Sequence, residues 1–223
     1  MPAKSEIRIP VSCVEEGRWS ARSFAFSAAK HTAYPELRRR KAERLSADPL
    51  ARGVAQAAVW DEVNAKADRL AAPAPTRAQA DIFRSSEADV GALRRVFPLA
   101  SGQTGAILAL GASSLALDYV SQPEAFGRLY PKLLDGYLLD AIERLDGKPA
   151  NASALKSFLT RVENAQRRSR RSAGLGEDIR MRADRVVGSG LELDGELIQL
   201  CAFSSDNASA GLATRTMRPS RRI

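Results

Sequence analysis

The chain has 223 residues, 44% of them apolar and 27% charged, and a formal net charge of +8. That balance supports a packed core, and it excludes wholesale disorder, collagen-like repeats and a membrane-spanning run of about 18 apolar residues. Two cysteines, Cys13 and Cys201, are too few for a disulfide framework or a four-ligand zinc site, and Met1 to Glu6 lacks the apolar run of a signal peptide, so the expected compartment is the cytoplasm.

Glu6 to Val14 reads as a strand, because Ile7, Ile9 and Val11 alternate with polar residues, and Pro10 restricts it to an edge or a strand start. Glu15 to Trp19 reads as a tight turn, and Ser20 to Pro35 as irregular chain. Glu36 to Leu45 is a short basic helix. Asp48-Pro49 supplies a cap and a first-turn proline for a longer helix to about Leu70, with Gln56, Trp60, Val63, Ala67 and Leu70 on one face. Ala72 to Pro75 is a stiff linker. A helical region from Thr76 is broken around Ser85-Ser86 and ends before Pro98. Thr104 to Leu110 and Leu115 to Val120 form a hairpin of buried strands. Pro123 opens a long helix to Leu145 whose core face carries Leu133, Leu134, Tyr137, Leu138, Ala141, Ile142 and Leu145. Asn151 or Ser153 starts a helix to about Ala165. Gly174 to Val187 and Leu191 to Phe203 read as a final antiparallel pair joined through Gly188-Ser189-Gly190.

Segregated hairpins and helices, without strict β–α alternation, predict an α+β fold. The expected organisation is a single α+β domain over residues 1–206, antiparallel hairpins packed with amphipathic helices, followed by a disordered basic tail from Asn207 to Ile223. That tail carries Arg215, Arg218, Arg221 and Arg222 and no acid, which is half of the net charge. Further basic clusters are Arg38 to Lys41 and Arg167, Arg168, Arg170 and Arg171, the latter at the exit of a helix. No aromatic residues interleave these runs as stacking platforms would, so nucleic acid is an unlikely partner; an anionic small ligand suits a basic body.

Several chemistries are absent. The chain has no P-loop and no dinucleotide-binding glycine motif. Its one histidine, His31, reads as an exposed residue in polar irregular chain, and the two cysteines as buried, inert thiols. Acid, arginine and amide chemistry remains. Glu15 and Arg18 leave the first strand together, to be aimed into one cleft or simply to make a salt-bridged turn. Gln103 and Asp118 meet at one edge of the central hairpin, where they hydrogen-bond a ribose, hold a divalent cation or satisfy turns. Tyr137 and Asp140 are helix neighbours, and Asp140 requires a partner at the core boundary. Glu177, Asp178 and Arg180 follow Gly174 and Gly176, which either let a ligand approach the backbone or make a bulge.

The run Ile9 to Trp19, with Gln56-x3-Trp60, Gly102-Gln103-x-Gly105-Ala106-Ile107, Leu117-Asp118, Leu133-Leu134-x2-Tyr137-x2-Asp140-Ala141 and Gly174-Leu175-Gly176-Glu177-Asp178-x-Arg180, resembles the ARG and rhodanese–phosphatase-superfamily-associated protein domain family. The resemblance spans about Ile7 to Phe203. ARG stands for ADP-ribosylglycohydrolase, and the family is named for its association with ADP-ribose and phosphate-processing enzymes. It implies a domain that binds, or also processes, an ADP-ribose-like or phosphorylated nucleotide. Arg18 and Arg180 would then hold phosphate, Glu15, Asp118 or Asp178 would meet ribose or a metal or supply catalytic carboxylates, and Gln103, Tyr137, Asp140 and Glu177 would line the ligand.

Two departures stand out. Similar proteins carry a further β-rich segment before this first strand, whereas here nine residues precede Pro10. They also carry a histidine in the last strand, near the position of Gln199. The short N-terminus is expected to leave the first strand with an open edge for self-association. The alternatives to a nucleotide-binding domain are a non-enzymatic module that binds a protein partner, and a nucleic-acid binder acting through the basic tail.

Overall fold

In the computed structural model, which describes residues 6–9, 11–19, 29–48, 53–111, 113–144 and 149–205, the fold is α+β. Six helices, α1 (Pro35–Ala47), α2 (Gln56–Arg69), α3 (Gln79–Ser85), α4 (Glu87–Arg94), α5 (Pro123–Ile142) and α6 (Ala152–Glu163), pack with six strands. The strands are β1 (Gly105–Leu110), β2 (Ser114–Val120), β3 (Gln166–Arg171), β4 (Glu177–Ala183), β5 (Val186–Leu193) and β6 (Glu196–Ser204). They form one antiparallel sheet in the order β1-β2-β6-β5-β4-β3. The tail from Asn207 lies outside the described residues.

Alternation sends successive side chains to opposite faces. On one face Leu115, Leu200, Ala202, Met181 and Val186 meet Phe158 and Val162 of α6. On the other, Ala116, Val187 and Phe203 meet Ala42 of α1, while Ala106, Leu108 and Val120 meet Tyr137, Leu134 and Leu138 of α5. A third cluster joins α1, α2, α3 and α5 around Tyr34, Leu37, Val63, Phe83 and Leu139.

The central hairpin, the break between α3 and α4, and α5 follow the sequence pattern. Asn151 caps α6, accepting from the backbone N–H of Ala154 at 2.8 Å. Asp48 ends α1 rather than starting a helix, and α2 begins at Gln56. The hairpin strands are less buried than expected: every residue of β1 is half-buried, because β1 is the outermost strand.

Three larger differences have physical causes. The described residues between Glu6 and Val14 make no strand: Ile9 and Val11 stand 68% and 86% exposed, so the alternating face they carry is not buried, while Val14 packs against the core. The side chain of Gln56 does what a neighbouring strand would do: Oε1 accepts from the N–H of Cys13 at 2.9 Å and Nε2 donates to its carbonyl at 2.6 Å. The open edges of the sheet are β1 and β3, so the edge expected at residues 6–14 for self-association is not formed.

Residues 166–171, read from sequence as basic chain leaving a helix, are strand β3. Gly188-Ser189-Gly190 is the middle of β5 rather than a turn. A Cβ at Gly188 would lie 2.5 Å from the carbonyl oxygen of Cys201 and 2.8 Å from the Met181 sulfur, so only glycine fits there. The true turns are Asp184-Arg185 and Asp194-Gly195, with left-handed φ of 54° at Arg185, 53° at Asp194 and 82° at Gly195.

Candidate anion-binding site

Helix α1 organises the polar chemistry of one sheet face. Pro35 opens it, its apolar side buries Leu37 and Ala42, and the helix lies across β4, β5 and β6. Beneath it, one transverse row of the sheet reads Ala106, Asp118, Cys201, Ser189, Arg180, Arg168 from β1 to β3. Two different sites are built on that row.

At its centre Asp118 is closed off. Arg38 of α1 forks onto it with Nη1–Oδ1 at 2.7 Å and Nη2–Oδ2 at 2.8 Å, and the Tyr137 hydroxyl donates to Oδ2 at 2.5 Å. Burial opposes the charge of Arg38, but Asp118 outweighs it and holds the guanidinium above its ordinary pKa. Burial and then the Asp118 charge push the Tyr137 hydroxyl up. Burial and Asp118 likewise push up the Cys201 thiol, which lies 3.3 Å from Ser189 Oγ. The Arg38 guanidinium also sits over the Phe203 ring, 5.2 Å from its centroid. Every charge here has a partner inside the protein, so the cluster ties α1 and α5 to the sheet.

A second closed network joins α1, α2 and α5. Fully buried Lys66 pairs with Asp140 at 2.7 Å and with Glu143, and it lies 4.9 Å from the centroid of the Tyr34 ring. Asp140 also accepts from the N–H of Glu36 at 2.9 Å. Burial pushes the Asp140 carboxyl up against the pull of Lys66. Burial opposes ionisation of Glu36 as well, but Arg39 and Arg40 outweigh it and hold its carboxyl at about 2.

At the β3 end the same row is differently filled. Arg168, Arg180 and Arg182, with Gln166, Met181 and Leu45 and Ser46 of α1, line a recess of about 50 Å³. A water needs roughly 10–15 Å³ of such space, so the recess has room for a phosphate-sized group and not for a nucleoside. Arg180 Nη1 donates to the carbonyls of Leu45 at 2.7 Å and Asp48 at 3.1 Å, where α1 ends. Burial and then the charge of Arg170 oppose the positive charge of Arg180, more than the carboxylates of Asp178 and Asp48 favour it. No acidic side chain is among the lining residues. Asp178, on the same face of β4, is 3.6 Å from Arg170.

The residues singled out from sequence are therefore separated. Asp118 and Tyr137 meet, and so do Asp178 and Arg180 on one strand face, but the two pairs belong to different sites. Gln103 does not join Asp118. It braces its own turn, accepting from the N–H of Ala100 at 3.0 Å and donating to the carbonyl of Gly105 at 2.8 Å. Tyr137 and Asp140 point into different networks. Glu15 makes a β-bridge with Ala78, beside α3. Arg18 lies in the 3-10 turn Glu16–Trp19. Gly174 and Gly176 belong to the turn between β3 and β4, closed by the Ser172 N–H on the Gly176 carbonyl at 3.1 Å and the Ser172 hydroxyl on the Leu175 carbonyl at 2.8 Å; Glu177 starts β4 opposite Arg171. Among the described residues, no group of three or more His, Cys, Asp or Glu side chains is arranged to hold a metal ion.

His31 overturns its sequence reading. Its side chain is 17% exposed, its ring stacks on Phe83 with centroids 4.0 Å apart, and Nδ1 is 2.9 Å from Oδ2 of buried Asp135. Arg94 Nε holds the other Asp135 oxygen at 2.7 Å. Asp135 is 104 residues away, so nothing local signalled the partnership. Arg168 and Arg182 were likewise missed as site residues, because the strand that carries Arg168 was not recognised.

The chain belongs to the ARG and Rhodanese-Phosphatase-superfamily-associated Protein domain family, which it matches over residues 1–203. No curated protein and no solved structure matches it. No helix among the described residues is long and apolar enough to cross a membrane.

Proposed function

We propose that this domain binds a phosphorylated small molecule, with an ADP-ribose-like nucleotide as the first ligand class to test. The observation that carries the reading is the recess at the end of α1, which three arginines, Arg168, Arg180 and Arg182, help to line. Arginine forks match phosphate oxygens two at a time, and three arginines beside one recess favour an anion. Arg180 is tethered to the carbonyls of Leu45 and Asp48, so its side chain is already oriented before a ligand arrives. The size of the recess favours the phosphate group, with the remainder of the ligand on the surrounding surface. The nucleotide part of the proposal rests on the association in the family's name.

Thermal shift on the full chain tests this with ADP-ribose, AMP and inorganic phosphate. A ligand at about 100 times its dissociation constant adds roughly 2.7 kcal/mol, a readily measured rise in Tm. The expected result is a rise with the phosphorylated ligands that disappears in Arg180→Ala and weakens in Arg168→Gln. No rise from a cooperatively melting protein, or a rise that both variants retain in full, overturns the assignment.

A further inference from the structure

The β3 edge carries a second inference that stands apart from the small-molecule recess. β3 is one of the two edge strands, and its sequence is Gln-Arg-Arg-Ser-Arg-Arg. Five of its six residues are exposed, and Arg170 is half-buried. Among the described residues it pairs on one side only, with β4, over its whole length. An outermost strand presents unpaired N–H and C=O groups at every second residue. The arginines alternate across that edge. Arg168 and Arg170 stand on the α1 face, opposite Arg180 and Asp178. Arg167 and Arg171 stand on the α6 face, opposite Met181 and Glu177.

We propose that the β3 edge binds an extended acidic peptide segment by strand addition. The backbone of the segment would complete the sheet, and its acidic side chains, alternating to the two faces, would meet Arg167 and Arg171 on one side and Arg168 and Arg170 on the other. Charge selects this occupant. A second copy of β3 would bring four arginines against four arginines, and like charges on directly paired strands repel. The described surface around the edge offers no aromatic platform for stacked bases, which favours a peptide over a single-stranded nucleic acid. Glu192 lies 3.3 Å from Arg167 and Asp178 lies 3.6 Å from Arg170, so carboxylates already reach these arginines from the neighbouring strands.

Fluorescence anisotropy on the full chain, at physiological salt, tests the proposal with a short labelled peptide of alternating glutamate and valine. Two further peptides carry N-methyl groups on alternate amides, one in each register. Strand addition predicts that one methylated peptide loses binding and the other keeps it, because only alternate amides face β3. The double substitution Arg167→Gln with Arg171→Gln, both on the face away from the recess, is expected to weaken the peptide about tenfold, as loss of charge-assisted contacts does. That variant should leave any ADP-ribose-induced rise in Tm unchanged, which separates this site from the recess. Equal binding of both methylated peptides would mean unspecific charge attraction and overturn the proposal. So would no binding, tighter binding of an oligouridine, or self-association of the chain through this edge.

Discussion

Asp118 and Arg180 occupy one row on one face of one sheet, separated by β6 and β5, and α1 covers both. Three strand spacings put them about 14 Å apart. At the Asp118 end the carboxylate accepts from both Nη atoms of Arg38 and from the Tyr137 hydroxyl. At the Arg180 end three arginines line a recess, and the nearby carboxylates of Asp178 and Asp48 favour the charge of Arg180 without the two-pronged pairing seen at Asp118. The residue types are alike, and the charge balance is opposite. A buried arginine forked onto a carboxylate supplied by the fold is spent on stability, whereas arginines that outnumber the nearby carboxylates have capacity left for an anion. Breaking each end separately tests that distinction.

The largest effect belongs at the closed end. Arg38→Ala leaves Asp118 buried and unneutralised, and breaking such a pair costs about 3–5 kcal/mol. Removing both charges together, as Arg38→Met with Asp118→Leu, should recover most of that loss, because well-packed apolar replacements escape the desolvation of both ions. Urea denaturation of the two variants measures the difference. Equal destabilisation would mean that the pair acts through packing alone. If the double variant still shows the phosphate-induced rise in Tm, the closed cluster is independent of the recess.

Acid should act next, through the helix that joins the two ends. Glu36 titrates at about 2 in the folded chain, against an ordinary 4.5. A depressed carboxyl stabilises the fold fully above its unfolded pKa, and that stabilisation fades as pH falls through the folded value. Melting followed from pH 6 downward should therefore decline below about pH 4.5 and continue to about pH 2, with a Glu36 contribution on the order of 3 kcal/mol. Glu36→Gln should flatten part of this decline. An unchanged profile would show that Arg39 and Arg40 hold Glu36 less tightly than their geometry implies.

Tyr137→Phe is a smaller lesion at the closed end. It removes one hydrogen bond to a charged acceptor and leaves Arg38 on Asp118, so about 1.5–3 kcal/mol is expected. A null result in the same denaturation experiment would make that 2.5 Å contact dispensable.

The two ends also differ in how far the sequence reveals them. Elements that bury one side show their period: α5 exposes its core face in Leu133, Leu134, Tyr137 and Leu138, and α6 announces its start with Asn151. The need of Asp140 for a partner was readable from its place beside that face, but the partner, Lys66, is 74 residues away. β3 has no apolar residue at all, because both its faces meet solvent or ion partners, so period two left no trace in hydrophobicity. With β3 hidden, Arg168 could not be set beside Arg180. Gly188 and Gly190 looked like turn residues but are glycines because β6 approaches too closely for a Cβ. The true hairpin signal, Asp194-Gly195, was present in the sequence. Ile9 and Val11 mimicked a strand that finds no face to bury.

Arg168→Gln is the smallest structural change and the sharpest comparison. Arg168 is exposed on the edge strand and lines the recess, and substitutions at such positions usually move stability by no more than about 0.5 kcal/mol. Arg38→Ala and Arg168→Gln each remove one guanidinium from the same sheet face, so a difference between them cannot come from net charge. The first should unfold the chain at lower urea. The second should melt as the parent does, yet show a smaller phosphate-induced rise in Tm that shrinks further as salt is raised, because an exposed site is screened. If Arg168→Gln destabilised the chain as Arg38→Ala does, the recess arginines would be structural as well, and the contrast between a closed and an open end of the row would collapse. If stability and the ligand response both stayed at parental levels, Arg180 and Arg182 alone would have to account for the anion.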